Sequence, residues 1–206
     1  MGVTTTTVSA GRRTQAERRA SSRARLVDAT LSCLAELGYA GASLPEIVRR
    51  AGLSNGGLWR HFQSKADLLA AASIEAEQRL LSAAPERSAT GSAEEAIDNV
   101  AELILEWSRQ PEMVAIIELL LATRVDPQLH EALSANDERA ASLFADEIKR
   151  LLGPHLATHP HFRVNVRQLG LALYGIAVTH HLRQESARAA LGPELRDLAR
   201  RLFDLA

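Results

Sequence analysis

The residues of this chain best equipped for chemistry lie between Ser43 and Lys65. Asn55 carries an amide, which donates and accepts side by side and so matches the edge of adenine; Arg60 carries a guanidinium fork that matches guanine. Ser43, Trp59, His61 and Lys65 add hydroxyl, indole, imidazole and ammonium groups, and donors of this kind suit phosphate oxygens. The chemistry on offer is non-covalent recognition of a polyanion rather than bond making. The sequence contains no glycine-rich phosphate loop, nucleophile elbow or zinc-protease signature, so an enzyme is not expected. His155, His159 and His161 form a His-x3-His-x-His cluster, and His180-His181 a further pair. Metal binding through the first cluster is an alternative reading. That cluster falls in a proline-containing loop without cysteine or nearby carboxylates, and neither a metal nor a cofactor is expected.

Start and stop signals define the elements that must position these groups. Ser43 and Glu46 read as a capping box, in which hydroxyl and carboxylate reciprocally satisfy free N–H groups. Pro45 falls in the first turn, where its missing N–H costs nothing. The helix they open should run to about Arg50, with Ile47 and Val48 inward. Gly52 suits a left-handed C-terminal cap in the turn Ala51-Gly52-Leu53. Ser54 caps a second helix, spanning about Ser54 to His61 and interrupted at Gln63-Ser64. Ser64 with Asp67 opens another in the same way. Two short helices joined by a three-residue turn make a helix-turn-helix, which places its second helix in the major groove of DNA. Leu58 and Phe62 are expected in the core. Gly56 and Gly57 each cost about 1 kcal/mol against alanine in a helix interior. Close approach to a phosphate or base edge would account for them, and so would simple shaping of a first turn.

This stretch resembles the DNA-binding domain of the TetR family of transcriptional repressors. The matching residues are Arg25-Leu26-Val27, Gly38-Tyr39, Ser43, Ala51-Gly52-Leu53-Ser54, Gly56-Gly57-Leu58-Trp59-Arg60-His61-Phe62 and Ser64-Lys65-Ala66-Asp67-Leu68. They agree at fixed spacing without gaps over about residues 20–80. The resemblance implies that Arg23 and Arg25 join Ser43, Ser54, Asn55, Gly56, Gly57, Trp59, Arg60, His61 and Lys65 in contacting DNA. Trp59 stands where the family usually has tyrosine. An indole N–H donates but cannot accept, so a phosphate contact there is expected with altered geometry. Gly57 replaces a residue that is often Thr, Ser or Ala, which leaves one fewer side chain for reading bases.

The 206 residues suit one compact unit or a small domain beside a larger one. Hydrophobic residues make up 46% but aromatics only 4%, so leucine and alanine must do the packing, and an all-α fold follows. No apolar run approaches the ~18 residues needed to span a bilayer. The Thr-rich start, Met1 to Gly11, lacks the apolar centre of a secretory signal. The lone Cys33 excludes an internal disulfide and reads as a small core residue. A cytoplasmic, nucleoid-associated protein without membrane contact is expected. Net charge is −1, but residues 1–70 hold ten cations against five anions, a net of +5, while the remainder is at −6. That asymmetry is the footprint of a DNA-reading end on an acidic body.

Expected boundaries are a flexible basic arm over 1–19, the helix-turn-helix domain over 20–80, and a helical ligand-binding and dimerisation domain over 81–206, with about nine helices in all. The first helix should span about 17–37 with Leu26, Val27, Leu31, Leu34 and Leu37 buried. Later helices are expected near 64–82, 94–109, 112–124, 127–152, 164–185 and 194–205, with a loop over 153–162. The 112–124 helix is apolar nearly all round, as if buried on most sides.

The 164–185 helix carries two apolar stripes. Val166, Leu169, Leu173 and Ile176 serve its own domain. Leu171, Tyr174, Val178 and Leu182 need another partner. With Leu195, Leu198 and Leu202 of the last helix, the second stripe suits a four-helix homodimer interface, an arrangement the resemblance also implies. Dimerisation has a physical reason of its own, because one short recognition helix reads too few bases and two related by a twofold read a palindromic operator. The resemblance further implies a small effector that releases the DNA. Trp107, Met113, Ile117, Glu118, Leu121, Asn136, Phe144 and Tyr174 are the candidate lining of its pocket, which suits a largely apolar ligand. The leading expectation is thus a DNA-binding regulator; the alternatives are a structural or interaction module without a ligand, and the metal-binding protein.

Overall fold

The computed structural model describes residues 14–84, 91–179 and 185–205, the side chains of 185–189 excepted. The described elements are all helices: α1 (Gln15–Gly41), α2 (Leu44–Ala51), α3 (Asn55–Leu58), α4 (Lys65–Ser82), α5 (Ala93–Trp107), α6 (Pro111–Ala122), α7 (Pro127–Ala157), α8 (Phe162–Thr179) and α9 (Glu185–Leu202). Arg12 and Arg13 lie outside the described residues, as do Leu182 and the His180-His181 pair.

Helix α1 begins two residues before the expected start. Thr14 is its N-cap, accepting from the Glu17 amide while the Glu17 carboxylate accepts from the Thr14 N–H. Residues 15–19, expected in a flexible arm, are therefore the first turn of the helix. At its far end Gly38 takes a left-handed φ of 69° and interrupts the helix. Leu37, expected in the buried stripe, is 46% exposed, and past that break Tyr39 does the packing against the core.

Two apolar cores divide the chain. Leu26, Leu34, Ile47, Leu58, Phe62, Leu68 and Leu69 belong to the first, and Leu58 and Phe62 are buried as expected. Ile97, Val100, Ile104, Trp107, Ile148, Leu151, Leu169 and Leu195 belong to the second. Helices α4 and α6 take part in both. Helix α6 gives Ala115, Leu119 and Ala122 to the first core and Met113 and Ile117 to the second. Serving two cores buries it on most sides, as expected, and leaves a third face in solvent, where Leu120 and Leu121 are 48% and 49% exposed.

Asp126 caps α7 as expected, its Oδ1 accepting from the Leu129 N–H at 3.0 Å. Gly153 (φ 71°) breaks the helix where an end was expected, but a further helical turn follows and buries Leu156. Pro154 stands first in that turn, a position that needs no N–H. Helix α9 starts well before residue 194, with Pro193 inside it.

Candidate nucleic-acid interface

Local hydrogen bonds build the recognition unit. The Ser43 hydroxyl accepts from the Glu46 amide at 3.4 Å. Glu46 does not complete the expected box, because its carboxylate accepts instead from Arg49 (2.8 and 2.6 Å) and Arg50 (2.8 Å). Those bonds hold the Glu46 carboxyl at about 2, well below the usual carboxylate range. Gly52 ends α2 in the left-handed conformation, φ 61°, as its position in the turn required. Ser54 caps α3 by accepting from the Gly57 N–H at 3.2 Å. The Asp67 amide donates to Ser64 Oγ at 3.0 Å, while the Asp67 carboxylate accepts from Gln63 rather than from Ser64.

Helix α3 is four residues long, Asn55–Leu58, not the eight expected. Two glycines in so short a helix remove the propensity to extend it. The path continues as a turn through His61, with the Phe62 N–H donating to the Leu58 carbonyl at 3.2 Å. Ser54, Asn55, Gly56, Trp59 and Arg60 all face solvent, Trp59 at 50%. Neither Gly56 nor Gly57 is demanded by the chain's own packing. A Cβ on Gly57 would meet Ser54 Oγ at 3.5 Å and Leu53 Cβ at 3.7 Å, ordinary contacts, and one on Gly56 would meet only Ser54 Oγ at 3.9 Å.

The cations around this unit fall into two groups. Arg49 and Arg50 are neutralised by Glu46, and Arg50 also by Glu36 at 2.8 Å. Arg25, expected to contact DNA, stays exposed but is engaged by the chain's own backbone. Its Nε donates to the Ala51 carbonyl at 2.9 Å and an Nη to that of Gly52 at 2.8 Å, satisfying the open carbonyls at the end of α2. The second group converges on His61. Burial lowers the imidazole below the usual histidine value, and the charges of Arg19, Arg23 and Arg60 push the same way. Arg23 also lies over the Phe62 ring, 5.1 Å from its centroid, and Lys65 Nζ over the Tyr39 ring at 4.7 Å. Arg19 was not among the expected contacts. Its signal was the Thr14-x-x-Glu17 box, which makes residues 15–19 helical and so fixes where Arg19 points.

A family model described as bacterial regulatory proteins of the tetR family matches residues 26–72. The HTH-type transcriptional regulator Rv2912c of Mycobacterium tuberculosis is 30% identical over 167 residues, 81% of this chain and 86% of that one. The chain belongs to the TetR family. It is a DNA-binding transcriptional regulator with the all-α architecture expected. Another relative, the HTH-type regulator CymR of Pseudomonas putida, is 31% identical over 62% of this chain and 64% of its own. Among solved structures, a transcriptional regulator from Rhodococcus sp. Rha1 shares the fold with a TM-score of 0.71 at 20% identity, covering 88% of this chain and 96% of that one. The multidrug binding protein EbrR, solved with ethidium, shares it with a TM-score of 0.62 at 20% identity over 88% and 97%.

In the second half of the regulator the candidate pocket residues divide. Trp107, Met113 and Ile117 are buried in the second core, with the Phe144 ring 6.1 Å from that of Trp107. Glu118 is not a pocket residue, because its face of α6 meets α1 and its carboxylate accepts from the Tyr39 N–H at 2.8 Å. Leu121 points to solvent. Asn136 donates to Glu77 Oε2 at 3.2 Å. Two concavities of about 300 and 200 Å³ lie elsewhere, beside α1, lined by Arg25, Glu36 and Arg50 and by Arg23, Glu75 and Arg79 respectively.

The α8 stripe Leu171, Tyr174 and Val178 is 65%, 39% and 48% exposed, while Val166, Leu169, Leu173 and Ile176 are buried. Leu195 does not join an outward face, being 3% exposed in the second core; Leu198 and Leu202 pack partly against the same core. Of the histidine cluster, His159 Nδ1 accepts from the His161 N–H at 3.1 Å, so Nε2 carries the proton and donates to Asp204 at 3.0 Å. A carboxylate remote in sequence thus reaches this histidine, yet no group of three metal-ligating side chains exists among the described residues.

Proposed function

We propose that this regulator is a repressor that holds a palindromic operator as a homodimer and leaves it when a small, largely apolar effector enters the second half of the chain. The division between the two halves is placed near residue 80, and the site of action is the nucleoid in the cytoplasm. The observation that carries the DNA reading is the convergence of Arg19, Arg23 and Arg60 on His61 beside a solvent-facing α3. A positive focus of this kind fixes register on phosphates, and Asn55 and Arg60 are then placed to read base edges. Ser43, Trp59, His61 and Lys65 are assigned to phosphate.

Pairing of two copies is supported by the exposed apolar stripe on α8, which the described residues leave uncovered. Effector control is supported by the likeness in fold to EbrR, a multidrug binding protein solved with ethidium. A two-state change in the spacing of the paired recognition helices would link effector to operator.

The test is protection of the intergenic DNA beside the gene by purified protein. Protection should lie over an inverted repeat and weaken steeply with salt. Binding that is indifferent to sequence and to salt would overturn the reading.

A further inference from the structure

Helix α7 is anchored at both ends and open between them. Leu129 is buried near its start and Ile148, Leu151 and Leu152 near its end, but no residue from 130 to 147 is buried. The inward face of that stretch, through Leu133, Asn136, Ala140 and Phe144, is only partly covered. Leu133 and Phe144 pack against the two cores without being buried in them, so the seam between α4, α7 and α8 is less fully closed than either core.

Two polar features border the stretch. Glu77 of α4 accepts from Asn136 Nδ2 at 3.2 Å and from Ser73 Oγ at 3.3 Å. Both donors are neutral, and Glu77 has no ion pair among the described residues. Burial raises the carboxyl above its usual range despite those two bonds, and the Asp137 charge acts in the same direction against the weaker pull of Arg139. Tyr174 of α8 faces the same two carboxylates, which with burial raise its phenol. At the other end, Trp107 is 5% exposed and its Nε1–H has no hydrogen-bond partner among the described residues. An indole donor usually finds an acceptor when buried. Its ring packs on Phe144, which also faces Gly170 of α8, where a Cβ would come within 3.5 Å of the phenyl ring. From Asn136 to Phe144 is eight residues of helix, about 12 Å.

We propose that the partly covered seam under the middle of α7 opens to take amphipathic organic cations, the aromatic body lying against Phe144 and Trp107 and the positive centre beside Glu77. This names the chemical class of the effector and rests on the effector reading above. A carboxylate held among neutral donors lacks a counter-charge, and a desolvated opposite charge is the partner it favours. The same carboxylate, with Asp137, disfavours anions of equal shape.

The test uses tetraphenylphosphonium and tetraphenylborate, alike in shape and opposite in charge, with triphenylphosphine oxide as the neutral member. Each is titrated calorimetrically into the full chain and into Glu77→Gln, free of DNA. The cation should bind at least about tenfold more tightly than the neutral compound, and Glu77→Gln should remove that preference while the neutral affinity stays. Equal affinity for the borate, no binding of the cation, or a preference that survives in Glu77→Gln would each overturn the proposal. A second readout leaves Glu77 in place. In a Trp59→Phe background all tryptophan emission comes from Trp107, and the cation should change it; unchanged emission at saturation counts against the site. Operator release separates this inference from the reading beneath it. A cation that binds through Glu77 without releasing operator upholds the site and removes the effector role. A neutral compound that releases operator while the cation fails to bind upholds the effector role and removes the cation class.

Discussion

The Tyr39 hydroxyl donates to Asp126 Oδ2 at 2.6 Å, joining the end of α1 to the residue that caps α7. The Tyr39 N–H reaches Glu118 of α6, and Lys65 lies over the Tyr39 ring. One residue, through its backbone and side chain together, therefore touches the recognition end and two helices of the second half. Burial and the Asp126 bond push the phenol up to about 12. Tyr39→Phe removes that bond but keeps the ring under Lys65. Thermal unfolding should show a loss of about 1 kcal/mol, with operator affinity in the absence of effector unchanged.

Arg25 and Arg60 should separate cleanly. Arg25→Ala leaves the α2 carbonyls open and should lower stability by about 1 kcal/mol without altering the salt dependence of DNA binding. Arg60→Ala should leave the unfolding midpoint in place, cost about 1–3 kcal/mol at the cognate operator, and relax preference at one base pair. Lys65→Ala should weaken all sequences alike and reduce the salt slope by about 1. Denaturation and anisotropy titrations on the three variants distinguish these outcomes. Thermal effects alone, with DNA affinity intact in the Arg60 and Lys65 variants, would remove both contact assignments.

Gly57→Ala tests why two glycines open α3. The chain itself has room for the methyl group, and alanine favours helix, so stability should rise by up to about 1 kcal/mol. Operator affinity should nevertheless fall, because the methyl group enters the space between helix and DNA. An unchanged affinity would mean that the glycines merely shape the turn.

With His61 proposed as a phosphate contact, DNA binding should depend on pH. Burial and three nearby arginines lower its value in the free protein. Phosphate beside the imidazole favours the charged form, so binding takes up a proton and affinity should rise as pH falls through the histidine range. His61→Gln should flatten that rise. For folding without DNA the sign is opposite. The unfolded chain binds the proton more readily than the folded one, so stability is present above the usual histidine value and is lost as pH drops below it.

Leu171→Glu places a charge on the exposed α8 stripe. Sedimentation should show monomers, and operator affinity should fall steeply because two linked half-sites become one. A variant that still sediments as a dimer would move the interface elsewhere.

Much of the recognition unit was legible because its signals are local. Ser43, Gly52, Ser54 and Ser64 act on backbone groups within a few residues, so their types and spacing carry their roles. Thr14 and Glu17 follow the same rule and would have placed the start of α1. Charge asymmetry was also legible, since it is a sum over the chain. Arg25, Glu118, Leu195 and Asp204 were not. An arginine beside a basic stretch reads as a DNA contact until a carbonyl twenty-six residues away is seen to accept from it. A glutamate in an apolar run reads as a pocket group until α1 is brought against it.

By itself, then, the amino-acid sequence determined which segments are helical, where the helix-turn-helix lies and which end is positive. Those properties depend on neighbours a few bonds away or on simple addition. Only the tertiary structure decided which cations are spent on carbonyls and carboxylates and which converge on His61. It also decided which carboxylate, Glu77, is partly buried without an ion pair among the described residues. Such pairings are set by long-range packing, and packing alone determines which long side chains meet a partner before they meet solvent.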